Sequence, residues 1–275
     1  MVTVAGSFNP GSSGDGGSAT SATLYNPGSF AASNDGSTIY IADTFNYRIR
    51  RVSGGNIYAF AGVPNQHIYN NDGLIATQTN INYPTGLFLT STHLYYSDRD
   101  NNLIRRIDLT TNIVKTVVGV NYIRQFGTTC GSACYQGDGG PALQAKLQTP
   151  GTIFVAPNGE LFIEDYNNNA IRKVTTDGNI ETILQNGYSQ IYSLFYYQGW
   201  VYYTTSANIY VLKPYCETNY TLSANFSCDP CPVDYVNNTD STQCIYVGNG
   251  GSVPPLSSNG VVNPSNNRNE TNKLN

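Results

Sequence analysis

Three stretches of this chain repeat one another in register, which limits it to folds built from stacked copies of a single unit. They are GDGGSATSATLYNP (Gly14 to Pro27), NDGLIATQTNINYP (Asn71 to Pro84) and GDGGPALQAKLQTP (Gly137 to Pro150). The interval from Asp15 to Pro27, Asp72 to Pro84 and Asp138 to Pro150 is 12 residues each time. Ala19, Ala76 and Ala142 share one place inside it, and Leu24, Ile81 and Leu147 share another.

After each proline, 14 to 16 residues on, a β-rich run ends in aspartate: STIYIAD at Asp43, HLYYSD at Asp98 and ELFIED at Asp165. A second run follows, and Arg50, Arg105 and Arg172 stand 7 residues beyond those aspartates. A third run closes each unit: NIYAFAG, NIVKTVVG and NIETILQ. Four short strands separated by Gly, Asn and Asp turns make a propeller blade. A fourth unit, QIYSLFYYQG, WVYYTT and NIYVLKP, is degenerate: Thr205 takes the aspartate's place and the arginine is lost. It lacks an outermost strand, whereas the chain opens with MVTVAG, which matches YAFAG and TVVG. If Val2 to Gly6 complete the fourth blade, a four-bladed ring closes without an open edge.

These residues resemble the NHL-repeat family, in the variety seen in teneurin ectodomains and large protist surface proteins. The resemblance spans about residues 2 to 212 and implies a β-propeller, commonly six-bladed. The expected fold is therefore all-β: an NHL-type propeller, either a four-bladed ring or part of a six-bladed one, followed by a small disulfide-rich module. The expected domains are 1–214 for the propeller, 215–247 for the module and 248–275 for a Gly-, Ser-, Asn- and Pro-rich linker. Blades are expected at about 26–62, 83–119, 149–185 and 190–212, with 2–6 as the closing strand.

Six cysteines fall in two groups. Cys130 and Cys134 lie in an insertion, since Gly119 to Asp138 spans 19 residues where Gly62 to Asp72 spans 10, and a bridge there would staple the loop. Their spacing is not CxxC and no third ligand stands nearby, which weighs against a redox or metal pair. Cys216, Cys228, Cys231 and Cys244 are spaced unlike the close doublets of zinc modules. They resemble a small disulfide module; three pairings are open, of which Cys216 with Cys228 and Cys231 with Cys244 is favoured. The sequons at Asn219, Asn225 and Asn237 cluster with these cysteines, and Asn269 follows, all expected to be glycosylated in an oxidising compartment.

Chemistry is harder to find. The histidines, His67 and His93, lie outside the repeated positions and are too few for a channel zinc site. Asp43, Asp98 and Asp165 recur with a fixed arginine, so Asp–Arg pairing is read as architecture. The turns at Asp15, Asp72 and Asp138 have neither the lysine of a phosphate loop nor the alternating carboxylates of a calcium loop. No GxSxG or ordered Ser, His and Asp set is present. No cofactor and no metal are expected, and the chain is read as non-enzymatic.

With 14 basic and 18 acidic residues the net charge is −4, against a nucleic-acid partner. No apolar run is long enough for a membrane span, and no signal sequence opens the chain. Tyrosine is in surplus, 22 in all, and Tyr196, Tyr197 and Trp200 are expected to form a binding surface. The expected function is an extracellular or cell-surface recognition or adhesion module for a protein or glycan. The alternatives are a propeller lyase or hydrolase with a metal in its central channel, and an intracellular scaffold that binds protein or RNA.

Overall fold

The computed structural model describes residues 2–121, 135–185, 190–197 and 200–212, with four further short strands between 220 and 246. The chain divides into two compact units, Met1–Tyr196 with Tyr202–Tyr210, and Tyr197–Val201 with Val211–Asn275.

The first unit is all-β, in a four-bladed propeller arrangement without an α-helix among the described residues. Blade 1 is β1 (Ser29–Ala32), β2 (Thr38–Asp43), β3 (Arg48–Ser53) and β4 (Asn56–Ala61). Blade 2 is β5 (Pro84–Leu89), β6 (His93–Asp98), β7 (Leu103–Asp108) and β8 (Val114–Val118). Blade 3 is β9 (Pro150–Val155), β10 (Leu161–Asp165), β11 (Ala170–Val174) and β12 (Ile180–Gln185). Each is an antiparallel meander in chain order. The fourth sheet holds β13 (Ser193–Tyr197), β14 (Trp200–Thr204) and β15 (Ile209–Leu212). β1, β5 and β9 lie side by side as the inner strands.

β-branched and aromatic residues fill these strands because both faces of a blade are covered by neighbours. In β10 every residue is buried. Tyr40 and Phe60 of blade 1 meet edge to face at 4.7 Å and pack with Leu87, Leu94 and Ile107 of blade 2. Ile104 and Val118 of blade 2 join Ile153, Leu161 and Ile163 of blade 3. The repeated small residues Ala19, Ala76 and Ala142 are buried, and so are Ile81 and Leu147. Phe162, Phe154 and Tyr196 stack in succession, at 4.6 and 5.1 Å, from the third sheet to the fourth.

Turn chemistry fits the hairpins. Ser53 pairs with Asn56 across Gly54 and Gly55, whose φ of 58° and 79° is what a two-residue primed turn demands. Between β1 and β2, Asp35 accepts from the Ser33 hydroxyl at 2.5 Å and from the N–H and hydroxyl of Ser37 at 3.1 and 2.9 Å. Those donors, Ser33 foremost, hold its carboxyl down at about 2 from an ordinary 3.8. A depressed folded value means that its stabilising effect is present above pH ~4 and is lost as pH falls through ~2. An NMR titration of Asp35 is expected to show that midpoint, and Asp35→Asn to remove this group's share of the acid limb.

Val2 to Gly6 depart from expectation. Gly6 does stand where Gly62 and Gly119 stand: their N–H groups donate to Ala19, Ala76 and Ala142 at 2.9, 3.0 and 2.9 Å, with φ of 94°, 99° and 97°. However, Val2 and Val4 are exposed and Val2 to Gly6 lie outside any strand, while the fourth sheet as described has three strands. A strand forms only where a neighbour takes its backbone hydrogen bonds, and matching sequence alone does not supply that neighbour.

In the second unit β16 (Tyr220–Leu222) pairs with β17 (Cys228–Pro230), and β18 (Tyr235–Asn237) pairs with β19 (Cys244–Tyr246), both antiparallel.

Candidate functional site

Each of the first three blades buries one arginine between two aspartates. Arg105 donates to Asp98 at 3.3 Å, to Asp72 at 3.0 Å, and to the carbonyls of Asn71 and Asn80. Arg172 joins Asp165 at 3.3 Å to Asp138 at 2.8 Å. Arg50 bonds Asp15 at 2.7 Å, with Asp43 at 3.9 Å, and blade 1 adds Arg48, which bonds Asp43 at 3.3 Å and Asp15 at 3.0 Å. All three repeated arginines and all three strand-end aspartates are fully buried.

Backbone geometry delivers these side chains. A bulge falls at one place in each of these three blades, between Ile49 and Arg50, Ile104 and Arg105, Ile171 and Arg172. An extra residue in the facing strand at this point bends the pair and re-aims the arginine. The strand-end aspartates also accept N–H groups from the preceding connection, those of Tyr25, Asn82 and Gln148 at 2.8, 2.7 and 2.7 Å. Asn46, Asn101 and Asn168 donate to them from the following 3-10 turn. Tyr69 covers the Arg105 guanidinium at 5.1 Å and Tyr135 covers that of Arg172 at 4.9 Å.

Burial raises the Asp98 carboxyl, and it pushes Asp165 up to about 6 against the pull of Asn168, the Gln148 N–H and Arg172. Since the folded value of Asp165 exceeds the unfolded one, its contribution favours folding most below pH ~4 and declines as pH rises through ~6. Such a network makes a blade intolerant of losing one partner, without making it more stable than an apolar equivalent. Among the described residues no group of three or more His, Cys, Asp and Glu is placed to hold a metal ion.

What differs between blades gathers on one face, where the β2–β3, β6–β7 and β10–β11 turns meet the connections into β1, β5 and β9. The residue before each repeated proline, Asn26, Tyr83 or Thr149, has φ near 50°. A left-handed tyrosine or threonine ahead of proline is strained, and the surrounding bonds hold it. Asn102 accepts the Thr149 N–H at 2.9 Å and Asn169 that of Ile191 at 3.0 Å, each tying its blade to the next. Tyr47 occupies the same left-handed turn position in blade 1 and presents a ring instead. Tyr25 meets Phe45 at 5.0 Å, Phe45 meets Tyr83 at 5.3 Å, and Tyr47 lies against both Tyr83 and His67 at 5.1 Å. Tyr25 and Phe45 are exposed.

On the same face a cavity of ≈ 250 Å³ opens among the inner strands, lined by Gly28, Thr85 and Gly151 and rimmed by Arg99, Tyr166 and Tyr192. Glu164 stands in its wall, buried, and accepts the Thr152 N–H at 2.8 Å. Burial raises its carboxyl, with that N–H and Arg99 pulling the other way.

The repeated Asp and Arg positions thus come together, and Asp15, Asp72 and Asp138 prove to be second partners of the arginines rather than simple turn residues. Of the expected binding surface, Tyr196 is half-buried in the ring stack and Tyr197 is exposed; Trp200 opens β14. Cys130, Cys134, Cys216, Cys231, Asn219, Asn225 and Asn269 lie outside the described residues. Cys228 and Cys244 open β17 and β19, and Asn237 closes β18. Sequence reading missed Glu164, Arg99 and the Tyr25–Phe45 cluster. The available signal was the breaks in the repeat: Ala42, Ser97 and Glu164 share one position, and Thr44, Arg99 and Tyr166 another.

The family model of the teneurin NHL domain matches residues 64–197. NHL repeat-containing protein 2 of Bos taurus is 34% identical over 95 residues, 34% of this chain and 13% of that protein. Its Gallus gallus counterpart is 35% identical over 95 residues, with the same shares. The chain therefore spans a small part of the curated relatives it matches. Among solved structures, the WD40 β-propeller domain of Doa1 aligns at 13% identity and a TM-score of 0.45, over 69% of this chain and 51% of that one.

Proposed function

We propose that this chain, an NHL-repeat β-propeller by its match over residues 64–197, is a non-catalytic recognition module of a secreted or cell-surface protein, with a protein or glycan as ligand. The observation that carries this reading is the fate of the repeated charges. Every repeated carboxylate and arginine is consumed inside its blade, while exposed aromatics that do not repeat collect on the turn face. Exposed aromatic anchors on a rigid scaffold are recognition chemistry. The compartment is argued from the six cysteines and the clustered sequons.

Two measurements test it. Passed through a eukaryotic secretory pathway, the chain is expected to carry glycan at Asn219, Asn225 or Asn237 and to offer no thiol to alkylation, by intact mass with and without glycosidase. Bare asparagines and free thiols would contradict it. On protein and glycan arrays, Tyr25→Ala with Phe45→Ala is expected to weaken bound ligands by about tenfold or more, and undiminished signal from that variant would remove the turn face from recognition.

A further inference from the structure

Glu164 is an acid that the repeat does not explain. Its position holds alanine in blade 1 and serine in blade 2, and it is 2% exposed. Asp43, Asp98 and Asp165 each meet an arginine, whereas Glu164 forms no ion pair among the described residues and is held by Thr152 alone, through its N–H to Oε2 and its hydroxyl. A buried carboxylate with no directly paired cation is costly, and Arg99 acts on Glu164 only through space, so the carboxylate is suited to an external partner. Gly151 makes room for it: a Cβ there would stand 2.6 Å from Oε2.

The cavity beside Glu164, ≈ 250 Å³, is below the ~300 to 1,000 Å³ of drug-sized pockets. Its wall is poor in ligands for a divalent ion. The Gly151 carbonyl already accepts from Ser97, and Glu164 is the one carboxylate in the lining, where calcium wants six to eight oxygens. An ammonium group needs only about three acceptors, which Glu164 Oε1, the Thr85 hydroxyl and the Tyr166 or Tyr192 hydroxyls can supply, with ring faces adding cation–π attraction. Arg99 also lines the cavity and pairs with Asp100 at 3.5 Å. A guanidinium and a buried carboxylate lining one cavity match a molecule carrying both charges.

We propose that this cavity is a binding site for a small zwitterion of the α-amino-acid class, its ammonium on Glu164 and its carboxylate on Arg99. The site does not rest on the recognition reading and stands or falls separately from it.

Calorimetric titration of the full chain with L-alanine, ethylamine, propionate and calcium chloride tests it. Alanine is expected to bind with a Kd on the order of millimolar, and ethylamine about tenfold more weakly for want of the carboxylate. Propionate and calcium are expected to give no saturable heat. Glu164→Gln, nearly isosteric, should abolish alanine and ethylamine binding with the thermal midpoint retained. Arg99→Gln, on the partly exposed rim and therefore independent of core packing, should reduce alanine to the ethylamine level and leave ethylamine unchanged. Absence of alanine binding, saturable calcium binding in its place, or equal alanine affinity in Arg99→Gln would overturn the proposal.

Discussion

Arg105→Met is expected to destabilise the propeller by about 3 to 5 kcal/mol in equilibrium denaturation, because it strips the cation from a buried Asp98. Methionine keeps much of the stem's volume but none of its donors. Asp98 would retain the Asn82 N–H and the Asn101 amide, and the carbonyls of Asn71 and Asn80 would lose their donor. Arg106→Met, on the neighbouring half-buried residue, is expected to stay within ~0.5 kcal/mol. Adding Asp98→Asn to Arg105→Met should recover part of the loss, since removing both charges relieves the uncompensated one. Equal stabilities for the Arg105 and Arg106 variants would mean that the buried pairs are incidental.

Gly62→Ala is expected to cost about 2 to 4 kcal/mol through backbone strain and overpacking together. Gly62 has φ of 99° and donates to Ala76, at the step from blade 1 to blade 2. A Cβ there would stand 2.5 Å from the Tyr47 carbonyl and 2.8 Å from the Arg48 Cα, both backbone atoms that cannot swing away. Gly36→Ala is the control: its φ of 70° is also left-handed, but nothing lies within 4 Å of the added methyl group. That variant should lose only about 1 kcal/mol. Thermal unfolding of the two, side by side, separates clash from strain.

The blades were readable because a repeat constrains many positions at once. Three copies that agree in Asp-to-Pro and Asp-to-Arg spacing fix strand order and turn position far better than propensity in one copy could. The same logic placed Asp43, Asp98 and Asp165 opposite their arginines. It stopped short of the second aspartate, because Asp15, Asp72 and Asp138 lie 33 to 35 residues before the arginines they bond, a distance in sequence that only the folded connection closes. Gly6 shows the limit differently: its equivalence to Gly62 and Gly119 survives in its φ and its hydrogen bond, although Val2 to Ala5 form no strand. Tyr196 was expected in a binding surface, and its ring contact with Phe154 needed the third sheet in place to be seen. Glu164 was hidden for the opposite reason. A pattern of recurring positions gives no signal at a position where the residue changes from blade to blade, and in a repeat fold those departures are where function has room to differ.

On this account the repeated aspartates and arginines belong to the fold, and function is left to the positions that break the repeat. NMR of the arginine guanidinium protons in the isotope-labelled full chain tests it most directly, with calcium and then with a chelator. Slow exchange is predicted for the Nη protons of Arg50, Arg105 and Arg172, whose side chains are fully buried, against fast exchange for the partly exposed Arg99, and neither addition should change it. Exchange as fast as that of Arg99, or release of the protected protons when calcium is added, would make those carboxylates a ligand site and contradict the claim.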